Sequence, residues 1–306
     1  MGPIFQCVPN LSEGRRLEVV EEAARALRDV SGLCLLNYSA DPDHNRSVFT
    51  MLGGQEPVAR GVKALFEVAD KYLDMRCHQG VHPRLGAVDV VPFVPLRRAT
   101  MEMAQELCRE VAERIAQDFQ LPIYFYGQSA TSPERASLAH LRRGGWEALA
   151  QEGLESADRR PDLGPSQLHP RLGASSFGAR GPLVAFNVLL QSDDLRVAQA
   201  IARRVRARSG GLQGVKALGL PLASRGIVQI SMNLTDPQRT AIYTALELVK
   251  IEAQRFGVQI LGSELIGAIS LDQLADSASY YWQMDRLQPD QVLETGILQL
   301  EEDFSL

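Results

Sequence analysis

The stretch HPRLGAVDVVPFVP, from His82 to Pro95, carries two signals side by side. Its second half is a near-continuous apolar run of strand length, the pattern of a strand covered on both faces. Its first half, HPRLGA, recurs as His169–Ala174 in LHPRLGASSFGAR. Reading VDVVPFV as a strand organises what lies upstream. IFQCV (Ile4–Val8) is a short buried strand. RLEVVEEAARALRDV then sets Leu17, Val20, Ala24 and Leu27 on one helical face, with Gly32 past the helix end. CLLNY is a strand, SADPDHNR a polar loop and SVFTML a strand, and Pro57 sits near the start of the helix PVARGVKALFEVADKYL. VDVVPFV completes a β-α-β-β-α-β series. A helix over about Thr100–Asp118 and the strand PIYFYG follow it.

The same rhythm returns downstream. PLVAFNVLL is a strand and Leu195–Arg208 a helix; VKALGLPL and IVQISMNL form a hairpin across ASRG. Asp236 caps a helix with Pro237 in its first turn, and VQIL is the last strand. The expected architecture is α/β (α+β), two ferredoxin-like subdomains. Each is a sheet with helices packed on one face, and a ligand cleft lies between them. Residues 1–179 form the N-terminal subdomain and residues 180–306 the C-terminal one. The Gly-, Pro- and Ser-rich stretch Gln151–Gly181 reads as a seam without regular structure. The first HPRLGA then precedes the closing strand of the first half, and the second precedes the opening strand of the second half. These are unlike positions, in loops that could face a shared cleft.

Composition narrows the function. The chain has 306 residues, 45% of them apolar, and a formal charge of −5, which opposes a sequence-independent nucleic-acid binder. The N-terminus lacks the layout of a secretory signal, and no apolar window is long enough to span a membrane. Cys7, Cys34, Cys77 and Cys108 form no paired framework, as in a cytoplasmic protein, and Cys7 and Cys34 sit in apolar runs expected to be buried. Phosphate-loop, dinucleotide and serine-hydrolase motifs are absent.

His78 and His82 stand four apart, a spacing that would aim two imidazoles at a metal on a helix, but Gly80 and Pro83 oppose a helix there. Pro83 restricts the backbone of His82, whose imidazole can take and return a proton near neutrality. DPDHNR (Asp41–Arg46) gathers carboxylates, an imidazole and a guanidinium, and reads equally as a solvated turn. GARG (Gly178–Gly181) offers Arg180 and backbone amides to a carboxylate, or is a plain turn.

As a set, CVPNLSEGR, DPDHNRSVFT, HPRLGAVDVVPFVP, PDLGP, GAR and VAFNVLL resemble the glutamate formimidoyltransferase family, over nearly the whole chain. The resemblance implies two ferredoxin-like subdomains in a homodimer. It implies transfer of the formimidoyl group from N-formimidoyl-L-glutamate to N5 of tetrahydrofolate, within histidine degradation, without a metal. His82 matches the catalytic histidine, as general base and acid. The folate-binding stretch maps onto Gly164, Pro165, Ser166, Gln167, Leu168, His169, Pro170, Arg171, Leu172 and Gly173. Of these, Gly164, Pro165 and Gly173 match the pattern, whereas His169, Pro170 and Arg171 are not part of it. Asn10, Asp41, Arg46, Arg180 and Asn187 are candidates for binding substrate. Some members carry an aspartate where this chain has Ser39, so Asp41, Asp43 or Asp89 would have to orient His82. Any cyclodeaminase activity is expected on a separate protein. The alternatives are formyl transfer between 5-formyltetrahydrofolate and glutamate, a folate-binding protein without turnover, and a metal-dependent hydrolase using His78 and His82.

Overall fold

The computed structural model describes residues 2–80, 82–156 and 159–304. Met1, Val81, Ala157, Asp158, Ser305 and Leu306 lie outside the described residues. The chain divides into two compact units between Gly181 and Pro182.

In the first unit, β1 (Phe5–Cys7) and β2 (Asn10–Leu11) are two pieces of one interrupted strand, lying between β4 (Arg46–Gly53) and β5 (Val88–Pro95). β3 (Leu33–Asp41) forms a hairpin with β4 and occupies the edge. The β-α-β-β-α-β order is therefore present, with α1 (Leu17–Arg28) and α2 (Gln55–Tyr72) as its helices. α3 (Met101–Phe119) follows, its first turn capped by Thr100, and leads into β6 (Ile123–Gly127). The helices share one core with the sheet, in which Phe66, Phe177 and Phe93 stack in sequence. α1 buries Val19, Val20, Ala23, Ala24 and Leu27, whereas Leu17, expected on that face, begins the helix and is 61% exposed. Cys34 is likewise exposed, because alternate side chains of an edge strand have no covering layer.

The expected seam is not structureless. It contains β7 (Ser175–Ala179), which is parallel to both β5 and β6 and lies between them. Its sequence, SSFGA, has one large apolar side chain, because neighbours crowd it: a Cβ at Gly178 would lie 2.5 Å from the Tyr126 carbonyl oxygen. Small residues hide a central strand from hydropathy. The second HPRLGA thus precedes β7 of the first unit, not a strand of the second half. Each copy leads into one of two adjacent parallel strands, and the copies pair through Gly86 and Gly173. Ala87 N–H donates to Leu172 O (2.8 Å) and Ala174 N–H to Leu85 O (3.1 Å).

This end of the sheet is covered on its second face as well. α4 (Leu138–Leu141) and α5 (Gly145–Glu152) close over Leu85, Val90, Tyr124 and Tyr126. IYFYG alternates as a two-sided strand must, with Phe125 in the main core and the tyrosines opposite.

The second unit orders its strands β11 (Ile260–Ile266), β8 (Val184–Leu190), β10 (Ile227–Leu234) and β9 (Val215–Leu222), all antiparallel. α6 (Leu195–Val205) and α7 (Ile242–Arg255) pack on the sheet and complete a second β-α-β-β-α-β series. Asp236 caps only an isolated turn. α7 starts later, at Ile242, because the Thr240 hydroxyl donates to Gln213 O (2.6 Å) and holds the intervening chain. α8 (Leu271–Trp282) and α9 (Leu293–Phe304) end the described chain. No helix is long and apolar enough to cross a membrane, among the described residues.

Candidate active site

One rim of the first sheet collects the end of β2, the β3–β4 turn, the entries to β5 and β7, and the start of β6. His82 lies there, on the loop between α2 and β5. Ser12 N–H and Oγ–H donate to Ala87 O and Gly86 O, both at 2.7 Å. Asn45 Nδ2 donates to Gln79 O (2.9 Å), and Arg171 O accepts from Met75 N–H (2.8 Å). Gly80 is required by proximity: a Cβ there would lie 2.4 Å from the His44 carbonyl oxygen. The catalytic-loop candidate is thereby pressed against the β3–β4 turn.

That turn is tight. Asn45 adopts φ 48°, a left-handed conformation that asparagine tolerates, and its Oδ1 accepts from Gly14 N–H (3.0 Å). Asp41 receives the His44 backbone N–H (2.9 Å) on one oxygen and His44 Nδ1–H (2.5 Å) on the other. Burial opposes ionisation of Asp41, but these bonds outweigh it and hold the carboxyl below its ordinary value.

His82 is half-buried, and both of its ring nitrogens are engaged. Nδ1–H donates to Pro83 O (2.8 Å), so Nε2 carries the lone pair and accepts from Arg46 Nη1 (2.6 Å). The imidazole is held neutral. Burial, reinforced by the charges of Arg46, Arg142 and His44, pushes its pKa down to about 2. Arg46 has no carboxylate partner among the described residues. Its own pKa is pushed down to about 10 by burial and by Arg142, so it remains a cation near neutrality. Among the described residues a backbone carbonyl takes the bond at Nδ1, while Asp41 and Asp89 bond to other groups. Asp89, almost fully buried, instead accepts from Leu85 N–H (2.8 Å) and pairs with Arg142.

His78 is committed elsewhere. Its Nδ1 accepts from Arg84 Nε (2.7 Å), and Nε2–H donates to Asn45 O (3.0 Å). Arg84 in turn pairs with Glu147 (2.7 Å), fastening α5 to the loop. No three His, Cys, Asp or Glu side chains converge as a metal site, among the described residues.

The stretch Gly164–Gly173 runs along the same rim. Gly164 adopts φ +80° against Leu121 O, and the backbones of His169 and Gly173 exchange two hydrogen bonds in a tight turn. Leu172 and Gly173 pair with the His82 loop, and Arg171 donates to Leu73 O (3.0 Å) beyond the end of α2. Ser166, Gln167 and Pro170 are exposed. The rim therefore gathers His82, Asp41, Arg46 and this stretch.

Three further candidates have their own places in the fold. Asn10 sits within the sheet between Val48 and Val90, and its amide donates to Val8 O (3.2 Å). Arg180 follows β7 and donates its backbone N–H to Phe93 O (3.0 Å), at the far end of β5 from His82. That is roughly 20 Å of strand from Gly86. Asn187 belongs to β8 of the second unit and donates to Glu264 (3.2 Å). Two rim residues were not singled out as candidates by the sequence reading: His44, met only as the imidazole of DPDHNR, and Arg142. The Asp-x-x-His spacing of the turn was a usable signal for His44. Nothing local pointed to Arg142.

A half-buried imidazole beside a guanidinium that has no carboxylate partner among the described residues can move a proton and hold an anion, two capacities that a group-transfer enzyme uses. Comparison with known proteins supplies the particular family. The model of the formiminotransferase domain, N-terminal subdomain, matches residues 4–180, and that of the formiminotransferase domain matches residues 185–299. The chain is 40% identical to a glutamate formimidoyltransferase of Streptococcus pyogenes serotype M1, over 97% of this chain and all of that relative. It is 38% identical to one from Thermoplasma acidophilum, over 95% of this chain and 96% of the relative. Against the formimidoyltransferase-cyclodeaminase of Mus musculus it is 37% identical over 94% of its own length, spanning 54% of that longer protein. The chain belongs to the formiminotransferase family, a family of transferases.

Proposed function

We propose that the chain transfers the formimidoyl group from N-formimidoyl-L-glutamate to N5 of tetrahydrofolate, releasing 5-formimidoyltetrahydrofolate and glutamate. The relatives' names support the donor, and the pair Arg46–His82 is the observation that carries the chemistry. In the free protein, Arg46 occupies the Nε2 lone pair. A substrate carboxylate is a better partner for a guanidinium than a neutral imidazole, since two charges can form a bidentate pair. Arg46 therefore turns to the carboxylate on binding, and Nε2 becomes available as a base only when substrate is present. Losing that adjacent positive charge raises the basicity of His82 at the same moment. His82 then takes the proton from N5 as the new nitrogen–carbon bond forms, with Pro83 O fixing the ring throughout.

The exposed residues of Gly164–Gly173 are assigned to folate, beside the His82 loop. In this reading the enzyme serves histidine degradation in the cytoplasm. The test is a transfer assay with purified protein, tetrahydrofolate and N-formimidoyl-L-glutamate, run beside the reverse pair 5-formyltetrahydrofolate and glutamate. Faster turnover of the formimidoyl donor is expected. Turnover of the formyl pair alone would replace this function with formyl transfer.

A further inference from the structure

His44 is only 7% exposed, its Nδ1–H is bonded to Asp41, and its Nε2 is buried with no hydrogen-bond partner among the described residues. Leaving such an atom buried and unpaired is unfavourable unless a partner arrives. The ring stands perpendicular to that of His82, centroid to centroid 5.9 Å. Two imidazoles thus share one rim in opposite surroundings. His82 faces the guanidiniums of Arg46 and Arg142, and His44 faces the carboxylate of Asp41. One ring thus meets cations and the other an anion at the same rim, and different surroundings are how a site gives two like groups different roles.

We propose that His44, oriented by Asp41, is the second proton-transfer residue of this site, giving its Nε2 proton to the departing glutamate nitrogen while His82 receives the proton of the attacking one. The proposal rests on the transfer reaction set out above. The bond between the acceptor nitrogen and the formimidoyl carbon forms, and His82 Nε2 gains that nitrogen's proton. The bond between the same carbon and the glutamate nitrogen breaks, and His44 Nε2 supplies the proton that nitrogen needs. His82 ends protonated and His44 neutral, and one proton passing from the first to the second restores both. No oxidant, metal or covalent intermediate is required.

The test separates the two ring nitrogens. H44N keeps an amide donor where Nδ1 meets Asp41 and has nothing at Nε2, whereas H44Q reaches the Nε2 position without a titratable group. In the full chain, both are expected to lower kcat by about 10²-fold or more, with KM little changed and the melting temperature retained. Both should also lose the alkaline limb of the pH–rate profile, since that limb reports deprotonation of the acid. A folded H44N with undiminished kcat across the pH range overturns the proposal. If neither variant folds, the wild-type profile decides, and absence of an alkaline limb overturns it. A wild-type protein inert towards N-formimidoyl-L-glutamate and tetrahydrofolate overturns the transfer reading, and this proposal with it. An active wild type with an active H44N overturns this proposal alone.

Discussion

Arg46 Nη1 donates to His82 Nε2 across 2.6 Å, so the lone pair needed for base chemistry is capped by a cation that has no carboxylate of its own among the described residues. Replacing Arg46 with Met should free that nitrogen. In a nitrogen-15 NMR titration, His82, held down to about 2 by burial first and by Arg46 second, is expected to rise in R46M while staying below the ordinary value near 6.5. Adding glutamate to the wild type should move it the same way. A ring that titrates identically in both proteins, with and without glutamate, would mean that Arg46 does not control it.

The same depressed value gives a pH dependence of stability. His82 is neutral when folded and takes up a proton near 6.5 when unfolded, so the unfolded state gains protons first as the solution is acidified. Its contribution is fully present above about 6.5 and is lost as the pH falls towards 2, by at most about 1.4 kcal/mol per pH unit. Denaturant titrations of wild type and R46M should diverge below pH 6.5, the wild type falling more steeply. Parallel curves would contradict this.

Gly80 approaches His44 so closely that a single methyl group must displace the turn or the loop. G80A is expected to cost about 1–3 kcal/mol and to lower the transfer rate, because the two histidines are positioned by that contact. Gly262, with nothing within 4 Å of its would-be Cβ, provides the control, and G262A should leave activity unchanged. Equal activities for the two variants would show that the contact is not needed.

Asp89 and Arg142 form a buried pair, with side chains 2% and 12% exposed. R142M should cost about 3–5 kcal/mol, because it strands a buried carboxylate with one backbone donor. Denaturation of R142M at neutral pH checks this, and a loss of under about 1 kcal/mol would mean that water reaches Asp89.

Much of this was legible in the residues. Amphipathic runs gave α1 and α2, and VDVVPFV gave β5, because those segments carry their burial pattern locally. SSFGA did not, since a strand crowded on all sides by backbone needs small side chains and loses the apolar signature. The site divides in the same way. His82, Asp41 and Arg46 stand in compact motifs, so their types and spacing were visible. Arg142 lies far along the chain from Asp89 and reads as one more surface arginine in HLRRGG until folding brings α4 over the β5 entry. His44 looked like part of a solvated turn, because only the close packing of Gly80 shows that the turn is covered. Arg180 was reasonable by residue type, but within the first unit it follows β7 at the far end of β5 from His82.

The most direct measurement is the rate of formimidoyl transfer by H82N. An asparagine amide can still donate to Pro83 O in place of Nδ1, and only the proton-accepting nitrogen is lost. The expected result is a kcat lower by about 10²–10⁴-fold with tetrahydrofolate affinity retained. Transfer at the wild-type rate would contradict the role given to His82.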